Sequence, residues 1–135
     1  MEAGRKIVRD TYKIRKCIYL NTTVPFHCPL MASAAKELKI YLEKVTFGQA
    51  RCPLISNVTA TDIMKSSSEE MKDLLVQHMT KPVLWSQSID YVLENTRDEA
   101  VFCEMGRGRI LTGLIRQHEP KTSCVYVIFP DCEKK

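Results

Sequence analysis

With 135 residues, of which 44% are hydrophobic and 27% charged, the chain has the composition of one globular domain rather than a disordered segment. A net charge of +4, from 20 basic and 16 acidic residues, suits a small acidic partner or a phosphorylated cofactor and lacks the concentrated basic stripe of a nucleic-acid binder. No apolar run approaches the ~18 residues of a membrane span, and the polar start from Met1 to Arg9 has no apolar signal core, so neither a membrane partner nor secretion is expected.

In chain order, residues 1–16 form a short, charged, helix-compatible stretch, with Ile7, Val8, Tyr12 and Ile14 as its apolar members. Residues 17–24 (CIYLNTTV) are rich in β-formers and read as a strand. Pro29 stands at a first helical position, and Leu30, Ala34, Leu38, Tyr41 or Leu42, and Val45 recur at helical spacing. A helix over 29–45 therefore starts just after His27. Residues 53–58 (PLISNV) read as a second short strand. The run Ser66-Ser67-Ser68-Glu69-Glu70 holds two overlapping S-x-x-E capping boxes, a helix start, with Met71, Leu74, Leu75 and His78 or Met79 on one face. Lys81-Pro82 ends that helix and opens another carrying Trp85, Ile89 and Val92. Residues 100–105 read as a strand, Gly106-Arg107-Gly108 as a turn, Arg109–Gln117 as a helix and 124–129 as a last strand. Strands alternating with helices predict an α/β fold with a largely parallel sheet, whose functional residues lie where strands end and helices begin.

Two such junctions carry chemistry. His27 sits at the first, and imidazole is the side chain whose ordinary pKa suits a general base near neutral pH. A packed structural histidine is the bland alternative. Cys28 is set aside as a nucleophile for that imidazole, because neighbours on an extended segment point to opposite sides. At the second junction, Gly106-Arg107-Gly108-Arg109 reads either as a tight turn or as a phosphate cradle at a helix N-terminus. Trp85 reads as core, His78 as a helix-end histidine and His118 as exposed. The six cysteines show neither C-x-x-C spacing nor a following histidine pair, which predicts reduced thiols and no metal site. The sequons at Asn21 and Asn57 have no meaning without secretion. No G-x-S-x-G nucleophile elbow occurs.

Four segments, in order, carry a resemblance. Val24-Pro25-Phe26-His27-Cys28-Pro29-Leu30-Met31 resembles the active-site histidine segment of malonyl-CoA:acyl carrier protein transacylases and of polyketide synthase acyltransferase domains. Ile55-Ser56-Asn57-Val58 resembles that family's strand ending in Asn-Val, and Lys81-Pro82-Val83-Leu84-Trp85 its Pro-Val-x-Trp helix start. Glu104 to Leu114 resembles its Glu-x-Gly-x-Gly turn and following helix.

The resemblance implies an α/β-hydrolase-like acyltransferase domain with a ferredoxin-like insert. Residues 1–24 would be the end of the insert and 25–135 the C-terminal part of the large subdomain. It implies transfer of malonyl from coenzyme A to the phosphopantetheine thiol of acyl carrier protein, in fatty acid biosynthesis, by a Ser-His mechanism. The serine and the carboxylate-binding arginine have no counterpart in this sequence, so the chain alone is expected to be inactive. His27 matches the catalytic histidine, and Phe26 a residue that narrows the acyl pocket toward malonyl. His78 stands where the family usually has a glutamine whose backbone carbonyl orients the histidine. The resemblance implies no bound cofactor, malonyl-CoA as substrate, and acyl carrier protein as partner. Arg15 and Lys16 are expected to steer that acidic partner, or else to form a solvated helix end. The cytoplasm, or an organelle lumen with a bacterial-type pathway, is the expected location. A non-catalytic short form that binds acyl carrier protein or a full-length partner is the alternative.

Overall fold

The computed structural model describes residues 2–13, 22–96, 100–106 and 108–127. In order the elements are α1 (Glu2–Tyr12), a 3-10 turn (Pro29–Met31), α2 (Ala32–Glu43), α3 (Ser68–His78), α4 (Trp85–Asn95), β1 (Val101–Met105), α5 (Ile110–His118) and β2 (Ser123–Val127). The fold is α/β, and none of its described helices is long and apolar enough to cross a membrane. The strand expected over 17–24 lies mostly outside the described residues, and Thr22 to Val24 are not in a strand.

Pro29 starts the 3-10 turn, with Cys28 extended before it and Met31 N–H bonding back to the Cys28 carbonyl at 3.0 Å. This turn leads directly into α2, which packs against α3. The buried side of α2 is Ala35, with Leu38 and Leu42 half-buried, while Leu30 and Tyr41 are exposed. Of the expected face, Ala34, Leu38 and Leu42 turn inward beside Ala35, whereas Leu30, Tyr41 and Val45 are exposed.

Of the two S-x-x-E boxes, the chain uses Ser67 and Glu70. The Ser67 hydroxyl accepts from Glu70 N–H at 3.2 Å, and Glu70 Oε2 accepts from Ser67 N–H at 2.7 Å. The segment expected as a strand over 53–58 is instead a chain reversal. Ile55 meets Asp62 in a lone antiparallel bridge, and Ile63 N–H bonds the Leu54 carbonyl at 2.9 Å. The cause is local. The Ser56 hydroxyl accepts from Val58 and Thr59 N–H, the Asp62 carboxylate accepts from Leu54 and Met64 N–H, and Ala60 takes a positive φ of 55°. Short polar side chains that bond the backbone compete with a ladder.

β1 and β2 form a parallel pair in register from Val101 opposite Ser123 to Met105 opposite Val127, joined through α5. One face, with Phe102, Glu104 and Cys124, turns toward α5, where Ile115 is buried. The other face carries Val101, Met105, Val125 and Val127, which are 58%, 67%, 48% and 43% exposed. Ile89 of α4 and Met71 of α3 complete a sparse core. The indole N–H of Trp85 is buried without a hydrogen-bond partner.

Candidate active site

His27 directly follows a tight turn that Phe26 N–H closes onto the Val24 carbonyl at 3.0 Å. Its φ is +60°, a left-handed conformation that costs a non-glycine residue roughly 1–3 kcal/mol. Adjacent side chains therefore do not simply alternate at this residue, as they would on an extended backbone. Cys28 is nevertheless engaged elsewhere, its thiol donating to the Pro25 carbonyl at 3.1 Å.

The left-handed turn brings the imidazole to the C-terminal end of α3, where Nδ1 lies 2.9 Å from the backbone carbonyl of His78. A carbonyl only accepts, so Nδ1 carries the proton and Nε2 keeps its lone pair. The carbonyls at a helix C-terminus lack intrahelical partners and carry partial negative charge. The Val76 and Gln77 carbonyls are taken by Met79, Thr80 and Lys81 N–H groups, while that of His78 receives the imidazole.

The His78 ring lies against the His27 ring, with centroids 4.6 Å apart and planes tilted by 32°. Its Nε2 is 3.3 Å from Nδ2 of Asn57. Partial burial, and secondarily the neighbouring His27, push the His78 imidazole below the ordinary histidine range. Phe26 lies beside His27 at a centroid distance of 6.2 Å and is 55% exposed. A cleft of about 330 Å³ adjoins the pair, lined among others by Ile55, Asn57, Met71, Leu74 and His78. Sequence reasoning missed the Asn57 side chain. Its only signal was the Asn-Val pair itself, which gave no hint of the contact.

The second junction is already filled. Glu104 turns its carboxylate onto the start of α5, accepting from Leu111 N–H at 3.1 Å and Thr112 N–H at 2.8 Å. Thr112, by its side chain and then its backbone N–H, holds this carboxyl below the usual range. The Thr112 hydroxyl has no hydrogen bond of good geometry, so the backbone N–H groups are the firm contacts. The glycines serve the turn, with φ of 147° at Gly106 and 95° at Gly108. The helix end is thus satisfied by the chain's own acid rather than open to a phosphate. Arg107 lies outside the described residues, as do Arg15 and Lys16. His118 is exposed and reaches Asp90 at 2.6 Å, joining α5 to α4. Among the described residues no group of three or more His, Cys, Asp or Glu could hold a metal ion, and Cys28, Cys52, Cys103 and Cys124 are free.

Comparison with known proteins places this geometry in context. The chain is 37% identical over 99 residues to a malonyl CoA-acyl carrier protein transacylase of Bacillus subtilis, covering 73% of this chain and 24% of that protein. It is 31% identical over 103 residues to the protein of the same name from Escherichia coli K12, covering 76% of this chain and 32% of that one. The chain belongs, as a partial match, to the malonyl CoA-acyl carrier protein transacylase family. A solved malonyl-transacylase, in complex with a type II polyketide synthase acyl-carrier protein, superposes with a TM-score of 0.81 at 29% identity. That match covers 93% of this chain and 40% of the transacylase. The chain thus spans a third or less of these two curated transacylases. No protein-family profile matches it.

Proposed function

We propose that this chain is the histidine-bearing part of a malonyl-CoA:acyl carrier protein transacylase, with His27 as base and acid of a two-step acyl transfer. The observation that carries the reading is the 2.9 Å contact between His27 Nδ1 and the His78 carbonyl, because it leaves Nε2 as the basic atom. A serine hydroxyl, supplied by the part of the fold outside this sequence, gives its proton to Nε2 and attacks the thioester carbonyl of malonyl-CoA. The carbon–sulfur bond breaks, and Nε2 returns the proton to the departing thiolate. In the second step Nε2 takes the proton of the phosphopantetheine thiol, whose sulfur attacks the malonyl-serine ester. The serine oxygen leaves and recovers the proton. This is nucleophilic catalysis with a shared base and acid.

The solved relative in complex with an acyl-carrier protein supports that class of acceptor. The uncovered apolar sheet face supports a site completed by further polypeptide of the same fold, since large exposed apolar patches mark contact surfaces. On this reading residues 25–135 belong to the α/β-hydrolase-like subdomain and residues 1–24 end its ferredoxin-like insert. Phe26 narrows the acyl pocket, and Arg15 and Lys16 steer the acidic carrier. The step serves fatty acid biosynthesis in the cytoplasm or a comparable organelle.

Two measurements test it. Incubated alone with malonyl-CoA, the chain should show no covalent malonyl adduct by mass spectrometry. Combined with the remaining part of the Bacillus subtilis relative, it should transfer malonyl to carrier protein. In that pair His27→Ala should cost the ~10²–10⁴-fold of a lost general base, with Cys28→Ser largely active. A malonyl adduct on the chain alone, or equal losses from both substitutions, would refute the assignment.

A further inference from the structure

A single hydrogen bond fixes one atom of an imidazole and leaves the ring free to turn about that bond. His27 has such a bond through Nδ1, and its neighbour Phe26 is mostly exposed and 6.2 Å away, too loose to hold it. The closer ring is His78, at 4.6 Å and near-stacked. That ring is itself oriented: the Asn57 amide donates to its Nε2, which makes His78 a neutral acceptor with its own proton on Nδ1. Asn57 is anchored in turn, its backbone carbonyl accepting from Leu84 N–H at 2.9 Å and its loop pinned by the Ser56 hydroxyl.

We propose that the His78 side chain, oriented by Asn57, is a positioning residue that locks the His27 ring plane, over and above the backbone carbonyl of the same residue. This rests on His27 being the base. One residue then serves the imidazole twice, by its carbonyl through Nδ1 and by its ring through the face. The lock is intact only while His78 is neutral. A proton on Nε2 would abolish the bond from Asn57 and set a like charge against His27 once that ring is protonated. The group facing His78 from the turn before α2 is His27, and from the 54–63 loop the uncharged Asn57. Beyond its own helix, the Lys81 ammonium is held by the Gln77 side chain at 2.5 Å.

The test needs no substrate. In the ¹⁵N-labelled 135-residue chain carrying His118→Gln, two histidines remain, and ring ¹⁵N spectra report the tautomer of each. At neutral pH His27 should show a protonated Nδ1 and His78 an acceptor Nε2. His78→Gln, which keeps the backbone carbonyl, should speed exchange of the His27 Nδ1 proton by roughly an order of magnitude and mix its tautomers. Asn57→Ala should act the same way while leaving α3 untouched. His78→Phe should restore the His27 signal only in part, since it returns the ring face but no acceptor for the Asn57 amide. Removing His27 by His27→Gln should raise the midpoint of His78. Unchanged His27 exchange and tautomer in both His78→Gln and Asn57→Ala, with backbone spectra intact, would overturn the proposal. A failure of malonyl transfer in the reconstituted pair would instead count against His27 as the base, and the two failures are independent.

Discussion

Changing Val101 and Val125 together to Thr probes the bare sheet face. Both point away from α5, one near the start of β1 and one in the middle of β2, and they are 58% and 48% exposed. Fully burying such a side chain is worth about 1.5–3 kcal/mol, so covering two half-exposed valines contributes about 1.5–3 kcal/mol to association. Thr keeps the branched shape that a strand favours and replaces a methyl by a hydroxyl that a dry interface leaves unpaired. At 1.4 kcal/mol per decade, affinity for the rest of the transacylase fold should fall about 10- to 150-fold. The isolated chain should barely respond, because exposed substitutions usually shift stability by less than about 0.5 kcal/mol. Calorimetric titration with the remaining part of the Bacillus subtilis relative gives the first number, and thermal melting of the chain alone gives the second. Undiminished affinity, or a loss of melting temperature in the free chain, would show that this face is not where the rest of the fold packs.

Ile115→Ala should destabilise the α5–sheet unit by about 2–5 kcal/mol, read by denaturant unfolding, since Ile115 is only 5% exposed beneath α5. Ser67→Ala should cost about 1 kcal/mol as a lost helix cap, whereas Ser66→Ala, whose overlapping box is unused, should cost a small fraction of that. Glu104 is held below the carboxyl range in the fold, so its contribution is complete above the unfolded carboxyl pKa and is lost as pH falls through the lower folded value. Melting curves of the chain and of Glu104→Gln should therefore differ most at neutral pH and converge only once the pH has fallen below that lowered folded value. A gap that widens toward acid would contradict the cap.

The parts of this fold that sequence made legible are those decided by neighbours in the chain. The start of α3 follows from a Ser and a Glu three residues apart, the 3-10 turn from Pro29, and β1, α5 and β2 from β-forming runs around a glycine turn. The strand expected over 53–58 failed because Ser56 and Asp62 bond their own backbone, a competition that a run of β-formers does not reveal. On α2, helical spacing finds Ala34, Leu38 and Leu42 but not the buried Ala35, because only packing against α3 selects it. At the candidate site, a histidine before a proline-initiated helix was visible. The positive φ that turns its ring, and the Asn57–His78–His27 chain of contacts, link residues up to 51 positions apart and leave no local trace.

Helix α3 carries its cap at one end and the carbonyl that receives the imidazole at the other, with 11 residues between Ser67 and that final His78 included in its length. The helix is therefore a ruler graduated in residues. Each residue advances the backbone by about 1.5 Å and turns it by about 100°. A one-residue insertion or deletion within α3 could leave the capping box whole and the helix as stable as before. It would still swing the last carbonyl about a quarter-turn away from His27. Length variation is tolerable in the largely exposed stretch over 48–53, which precedes the reversal that holds Asn57. It is intolerable between Ser67 and His78, even though no residue inside that span touches the imidazole ring.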